Sequence, residues 1–422
     1  MTEHHIFVKC AWRLIPFMVL LYLVNFIDRV NVGFAALTMN RDMDFTPTIY
    51  GFGAGIFFFS YALFQVPANI MLDRWGARRW ISFILVAWGM ISAANALVQG
   101  PGSFYALRFL LGVAEAGFFP GMIFYLTLWF PQAYRARFVA TFMLGQPLAF
   151  ILGGPLSGFI LGLDGFGGLH GWQWLFVVEG LPACLLSLVS LRLLPDRPAA
   201  ASWLNPEEKR IVAARLSSEE STANRDLWPA LRDPRVIALG LVGLGQNCAS
   251  YGVQLWMPQI VQAMGYSNQA TGFIVALPFV ASTTAMLICG HSSDKRGERV
   301  WHISLPLLIA AAGFLVASLV PFNITVIVAL SIALVSLDAL YGPFWSFPST
   351  FLTGSAAAGG IALIRTISAM GGFVGPALVG VLREQSGDYS SAMVSLAFGL
   401  LLAVLTVLGL GRAITPRKVP VT

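Results

Sequence analysis

Two short stretches hold charges where charge is costly. Asp28 and Arg29 stand side by side in "NFIDRVNVGFA", residues 25–35, and Arg108 and Glu115 stand seven apart in "RFLLGVAEAGFFPG". Both runs are otherwise apolar. The planar fork of an arginine takes two carboxylate oxygens at once, so Arg29 reads as a ligand for an organic anion. Glu115, a carboxyl among apolar residues with an arginine nearby, reads as a proton carrier. Neighbours on a helix point about 100° apart, so Asp28 and Arg29 must meet different partners, one facing a central cavity and the other a helix. Arg108 and Glu115 are about two turns apart and share one stripe, so their ends pair directly or through a third group. A static Arg–Glu tie between helices is the plainer alternative for Arg108 and Glu115, and a structural pair with Asp28 or Glu115 is the plainer alternative for Arg29.

The second half of the chain has its own pair. Asp338 in "LVSLDALYGPFW" and Arg365 in "ALIRTISAMGGF" fall in consecutive apolar runs. They form a salt bridge, or Arg365 is a second anion clamp facing Arg29, which suits a diacid or a hydroxy acid. Asn25, Tyr61, Gln65, Gln146, Gln246, Tyr251 and Trp345 lie at depths compatible with a cavity, though each alone also serves as glue between helices. Glu179 in "FVVEGLP" is a buried acid with no assigned role. His291 and His302, in or beside a loop, read as solvated.

The elements that must hold these residues follow from composition. The chain has 422 residues, of which 57% are hydrophobic and 11% charged, whereas a soluble domain carries about 25% charged residues. The apolar residues fall in twelve blocks, near 11–38, 49–71, 79–98, 103–128, 137–162, 172–194, 235–262, 269–290, 301–320, 324–350, 355–382 and 389–412. About 20 such residues form a helix that crosses a bilayer. The runs are continuous and do not alternate, which favours a helical bundle over a barrel. The first block is too long for a cleavable signal peptide, and no small-residue cleavage site follows it. The four cysteines, Cys10, Cys184, Cys248 and Cys289, are far apart and read as small buried apolar residues without metal-type spacing.

With the N-terminus inside, all but five of the 26 Lys and Arg fall in cytoplasmic segments. Arg41 and Arg383 lie outside, and Arg29, Arg108 and Arg365 lie within spans. This asymmetry sets the topology, with both termini cytoplasmic. The formal charge of +6 reflects orientation, and no polar domain large enough to bind nucleic acid is present.

The long polar stretch 195–234 divides the spans six and six, giving a first bundle over 1–194, a linker, and a second bundle over 235–422. Within the linker, Asn205 is an N-cap, Pro206 suits the first helical position, and Glu207 and Glu208 suit the first turn, so a short amphipathic surface helix is expected. The halves repeat. "DRWGARR" after span 2 and "DKRGER" after span 8 place Asp73 and Asp294 221 positions apart, and Gly154-Pro155 and Gly375-Pro376 share that offset. The expected architecture is an all-α membrane protein of twelve helices in two six-helix bundles related by a pseudo-twofold axis, built as a rocking-bundle transporter. Asp73, Arg74, Gly76, Asp294, Lys295 and Gly297 then form gating loops. At the same offset Asp28, Arg29, Arg108 and Glu115 face Ala249, Ser250, Ala329 and Ser336. Scaffold recurs, and these charges do not. "GFGAG" at 51–55 opens a span with no strand before it, and is a packing motif rather than a nucleotide loop.

These motifs resemble the anion:cation symporter family of the major facilitator superfamily, in its bacterial organic-acid branch. The resemblance covers nearly the whole chain. It rests on "DRVNVGFA", on "RFLLGVAEAGFFPG" followed by "LWFP" and "RAR", on "WLNPEEKR", and on "GGFVGP". It implies Arg29 as carboxylate ligand, Asp28 and Glu115 as proton-coupling acids, and Arg108 as the partner of Glu115. This chain has Phe26 where that family usually has tyrosine, Arg365 where asparagine is usual, and Asn69 where the wider superfamily often has glycine. The expected activity is proton-coupled uptake of a small organic carboxylate (a dicarboxylate, hydroxy acid or aromatic acid) by alternating access. A passive or exchange carrier is the alternative. The expected setting is a bacterial inner membrane, with a monomer working without metal or cofactor. No nucleophile–base pair or cofactor motif suggests an enzyme.

Overall fold

The structure, a computed structural model, describes residues 3–220, 232–352 and 354–414, apart from the side chains at 69, 73, 136, 218–220, 354–358 and 414. Among the described residues, twelve helices are long and apolar enough to cross a membrane. Spans 1 to 6 are Glu3–Asp42, Pro47–Leu72, Ala77–Leu97, Pro101–Trp129, Gln132–Leu163 and Gly171–Leu193. Spans 7 to 12 are Pro234–Gln262, Asn268–Arg296, Val300–Leu319, Ile324–Thr350, Gly359–Ser386 and Ser390–Ala413. In lipid every backbone polar group must bond within its own segment, and a helix does this locally.

Several helices outrun their apolar cores. Span 1 is one helix of 40 residues, where its apolar run covers 11–38. Span 8 continues to Arg296, so Asp294 and Lys295 lie in its last helical turn and not in a loop. Asp73 and Arg74 likewise belong to the last turn of a helix that runs to Trp75; the Asp73 side chain lies outside the described residues. Only the glycines make the turns, Gly76 at φ 82° and Gly297 at φ 62°. That left-handed conformation strains any residue with a Cβ. Helices end where the backbone must reverse, not where hydropathy drops.

The chain forms two compact units. Of the described residues, the first holds 3–43, 59–220 and 268–273, and the second holds 44–58, 232–267, 274–352 and 354–414. Each unit thus includes the N-terminal end of one helix from the other half. In the first unit the start of span 8 lies against span 5: a Cβ on Gly154 would sit 2.5 Å from the carbonyl oxygen of Gly272, and one on Gly158 would sit 2.7 Å from that of Asn268. In the second unit the start of span 2 lies against span 11, with Gly51 on the Pro376 carbonyl and a Cβ on Gly55 2.6 Å from that of Phe373. Gly51 and Gly272, like Pro155 and Pro376, are 221 positions apart, so one seam repeats in both units. Its backbones touch, and nothing flexible can yield. Gly154→Ala should cost about 1–3 kcal/mol by overpacking, read as a lowered thermal unfolding midpoint in detergent.

The linker helix runs Pro206–Glu220. The Asn205 side chain accepts from the Glu208 amide at 2.7 Å and Glu208 accepts from the Asn205 amide at 2.9 Å, a reciprocal cap. Glu208 also takes Lys9 Nζ at 2.9 Å, tying the linker helix to span 1, and Trp203 stacks on Trp129 at 5.6 Å. The Lys9 hydrogen bond, then the Asn205 amide, hold the Glu208 carboxyl below its ordinary 4.5. A depressed carboxyl value stabilises the docked state above the unfolded value, and that contribution vanishes as pH falls through the folded one. Amide exchange over 206–220 should therefore stay slow at neutral pH and accelerate only below the ordinary carboxylate range; in Lys9→Ala it should be fast at neutral pH.

Candidate functional site

Span 1 offers two faces at the depth of the charges. Asn25 and Arg29, one helical turn apart, share a face, and both reach span 4. Arg29 Nη2 donates to Glu115 Oε2 at 2.9 Å, and Asn25 Nδ2 donates to the same oxygen at 2.8 Å. Arg29 Nη2 also reaches Asn25 Oδ1 at 3.3 Å. The second Glu115 oxygen, Oε1, accepts no hydrogen bond. The guanidinium lies between two rings, 4.8 Å from the Phe26 centroid and 4.7 Å from that of Tyr61. Flat aromatic faces attract a cation without consuming its N–H groups, so the fork stays directed at an anion. Arg29 is 6% exposed, and Asn25 and Glu115 are fully buried.

Asp28 turns the other way. Its carboxylate accepts from Asn31 Nδ2 at 2.9 Å and from Trp88 Nε1 and Ser92 Oγ of span 3. Gly180 of span 6 clears the space, since a Cβ there would lie 3.0 Å from Ser92 Oγ. The two adjacent charges of span 1 thus have separate partners, as helical geometry requires. Asn31 stands one turn beyond Asp28, a spacing visible in the sequence. Trp88 and Ser92 could not be read there, because only packing brings span 3 to that face.

Glu115 takes its direct ion pair from Arg29, where the resemblance implied Arg108. The seven-residue spacing keeps Arg108 about 10 Å along span 4, whereas Arg29 approaches from the neighbouring helix. Arg108 is fully buried in the same unit. Tyr61 joins the cluster by its ring. Gln146 is half-buried on span 5, and among the described residues no hydrogen bond joins it to the cluster.

In the second unit, Gln246 is buried and its amide nitrogen lies 3.4 Å from the Leu337 carbonyl. Tyr251 packs on Phe58 at 4.3 Å, and Trp345 meets Phe344 edge-on at 5.1 Å. Asp338 and Arg365 are half-buried on spans 10 and 11, and among the described residues they do not form an ion pair with each other. At the end of span 8, Arg299 Nη2 binds Asp294 at 2.6 Å, and Lys295 is exposed. At the end of span 2, Arg74 is exposed, and the Asp196 carboxylate takes the Arg78 amide at 2.8 Å beside Gly76.

His302 is not solvated as its place near a loop suggested. Its side chain is 13% exposed, with Nδ1 2.8 Å from Glu298 and Nε2 3.0 Å from Ser292. The loop folds back over it, because Glu298 also caps the start of span 9 through the Trp301 amide at 2.8 Å. His291 is exposed. Cys10 and Cys248 are buried, while Cys184 and Cys289 are only half-buried. No group of three or more metal-type ligands occurs among the described residues.

The profile described as Major Facilitator Superfamily matches residues 18–376. A protein of Agrobacterium vitis named "Putative tartrate transporter" is 44% identical over 97% of this chain and 95% of its own length. A "Quinolone resistance transporter" of Acinetobacter baumannii is 41% identical over 94% of this chain and 93% of its own. Among solved structures, a bacterial homologue of the human lysosomal transporter Spinster, in an inward-facing and occupied conformation, covers 94% of this chain and 96% of its own. It does so at a TM-score of 0.80 and 18% identity, a likeness of fold.

Proposed function

The chain belongs to the Major Facilitator Superfamily of membrane transporters, and from that premise we propose that it takes up a small organic carboxylate together with protons, by alternating access, across a bacterial inner membrane. The observation that carries this reading is the divided Glu115 carboxylate, with Arg29 and Asn25 on Oε2 and Oε1 open. The Glu115 carboxylate holds the Arg29 Nη2 donor and neutralises the guanidinium charge. A substrate carboxylate therefore competes with Glu115 for Arg29. A proton seated on Oε1 displaces no donor, removes the charge of Glu115 and frees the Arg29 fork for substrate. When the proton leaves, Glu115 reclaims the fork and substrate is expelled. Proton and anion thus travel in the same direction.

Protons are also needed electrically. Drawing one negative charge into a cell opposes the potential by about 2.3 kcal/mol per 100 mV. One proton cancels this for a monoanion, and a dianion needs two. Asp28 and Glu115 are the acids proposed to carry them, with Arg108 supporting Glu115 from two turns away.

The relative named for tartrate makes a hydroxy dicarboxylate the first substrate to try. Arg365 is proposed as ligand for its second carboxylate, with Asn25, Tyr61, Gln146, Gln246, Tyr251 and Trp345 as further contacts. Asp73, Arg74, Asp294 and Lys295 act as the charge locks of the cycle, at the gating loops that Gly76 and Gly297 turn. The chain works as a monomer, with its termini and linker on the cytoplasmic side.

The test is a thermal-shift screen of the purified protein against a panel of mono- and dicarboxylates including L-tartrate. A diacid should stabilise the wild type, and Arg365→Ala should weaken the response to diacids more than to monoacids. Equal loss for both classes would remove Arg365 from the site. The second reading is an exchange carrier, favoured by the closed Arg29–Glu115 pair, which is already neutral without a proton. Uptake indifferent to a protonophore would select it.

A further inference from the structure

Glu179 of span 6 is a buried acid that the mechanism above does not use. It is 3% exposed. Ser157 Oγ of span 5 donates to its Oε1 at 2.8 Å, and its Oε2 accepts no hydrogen bond. Span 6 packs on spans 1, 3 and 5. From span 1 come the Asn31 amide and, beyond it, the Asp28 carboxylate, the ionisable group that faces Glu179. The parts of spans 3 and 5 packed there contribute Ser92 and Ser157, and among the described residues no salt bridge joins a cation to Glu179.

The two acids flank one amide in opposite surroundings. Asp28 is filled with donors, namely Asn31, Trp88 and Ser92. Trp88 and Asn31 offer only N–H toward it, so they demand an acceptor. The Asn31 nitrogen is fixed toward Asp28, and its Oδ1 accepts no hydrogen bond. Asn31 Oδ1 therefore lacks a donor, and Glu179 Oε2, which the Asn31 side chain approaches, accepts from none in full hydrogen-bond geometry. A bare carboxylate at Glu179 would be an unpaired buried charge next to a second one, the costliest state such a pair can adopt. A proton on Glu179 removes that charge and supplies the missing donor. Paired acids in contrasting surroundings divide into an ionised and a protonated member.

We propose that Asp28 and Glu179 form a coupled pair holding one transported proton, which in this conformation sits on Glu179. This deepens the proton-coupled reading and rests on it: the second proton belongs to the pair and not to Asp28 alone. When the conformation changes the Asp28 cage, the proton leaves Glu179 for water and the pair reloads from the other side. Glu179 is a proton-holding residue and does not touch substrate.

The experiment is infrared spectroscopy of the purified carrier as pH is stepped, following the carbonyl band of protonated buried carboxyls. The wild type should show a band that disappears as pH rises. Glu179→Gln should lack it, while Glu115→Gln should keep it. Glutamine mimics the protonated acid, with an oxygen for Ser157 and an N–H for Asn31, so this variant should fold. Ser157→Ala provides a second check, because loss of the donor on Oε1 should shift the frequency of the same band. Retention of every titrating band in Glu179→Gln, or a Glu179 band that never responds to pH, would overturn the proposal and leave Glu179 a static acid. A wild type that fails to couple L-tartrate entry to protons in proteoliposomes would instead overturn the transport reading, whatever the infrared result.

Discussion

Arg29→Ala should abolish carboxylate binding. A buried, hydrogen-bonded charge pair loses about 2–5 kcal/mol when one partner is truncated, which corresponds to roughly 30- to 5,000-fold in affinity. L-tartrate titrated into purified protein should therefore give no saturable signal at concentrations that saturate the wild type. The same change leaves Glu115 buried without its ion-pair partner, so the variant should also be less stable. The two effects separate in a double variant. Arg29→Ala with Glu115→Gln should recover thermal stability, because no lone charge remains, and should still fail to bind. Arg29→Lys should bind weakly, since an ammonium cannot form the bidentate fork. Recovery of full binding in the double variant would show that Arg29 only holds Glu115 and does not meet substrate.

Glu115→Gln should separate transport from accumulation. The variant keeps an amide oxygen for Asn25 and Arg29 but can neither gain nor lose a proton. It should exchange internal for external tartrate while failing to concentrate it. With an inward proton gradient of one pH unit imposed, each coupled proton should contribute about 1.4 kcal/mol, roughly a tenfold concentration ratio, and in the variant accumulation should fall to a ratio of about one. Loss of exchange as well, in protein that remains folded, would contradict the proton-carrier role of Glu115.

The architecture was legible because it rests on composition and repetition. Twelve apolar runs become twelve spanning helices, and the 221-residue offset reappears as physical contacts, Gly51 on Pro376 and Gly272 on Pro155. Backbone-to-backbone packing needs small residues at fixed positions, and these leave a trace in sequence. The charged cluster was legible in part. Helical spacing requires Asp28 and Arg29 to diverge, and they do. Which arginine reaches Glu115 depends on how spans 1 and 4 lie together, and no spacing within span 4 encodes that. Trp88 and Ser92 carry no signal in the sequence, since a tryptophan and a serine in an apolar span look like filler until an aspartate faces them. His302 misled for the opposite reason, because its nearness to a loop gave no sign that Glu298 folds the loop over it.

The central claim is that the carboxylate and the proton cross together because both depend on one guanidinium. Proteoliposomes containing the wild-type carrier, with no pH difference imposed, test it most directly when labelled L-tartrate entry and external pH are followed at once. The account predicts that external pH rises as tartrate enters, and that Glu115→Gln removes the rise. Entry of tartrate at full rate with external pH unchanged would contradict it.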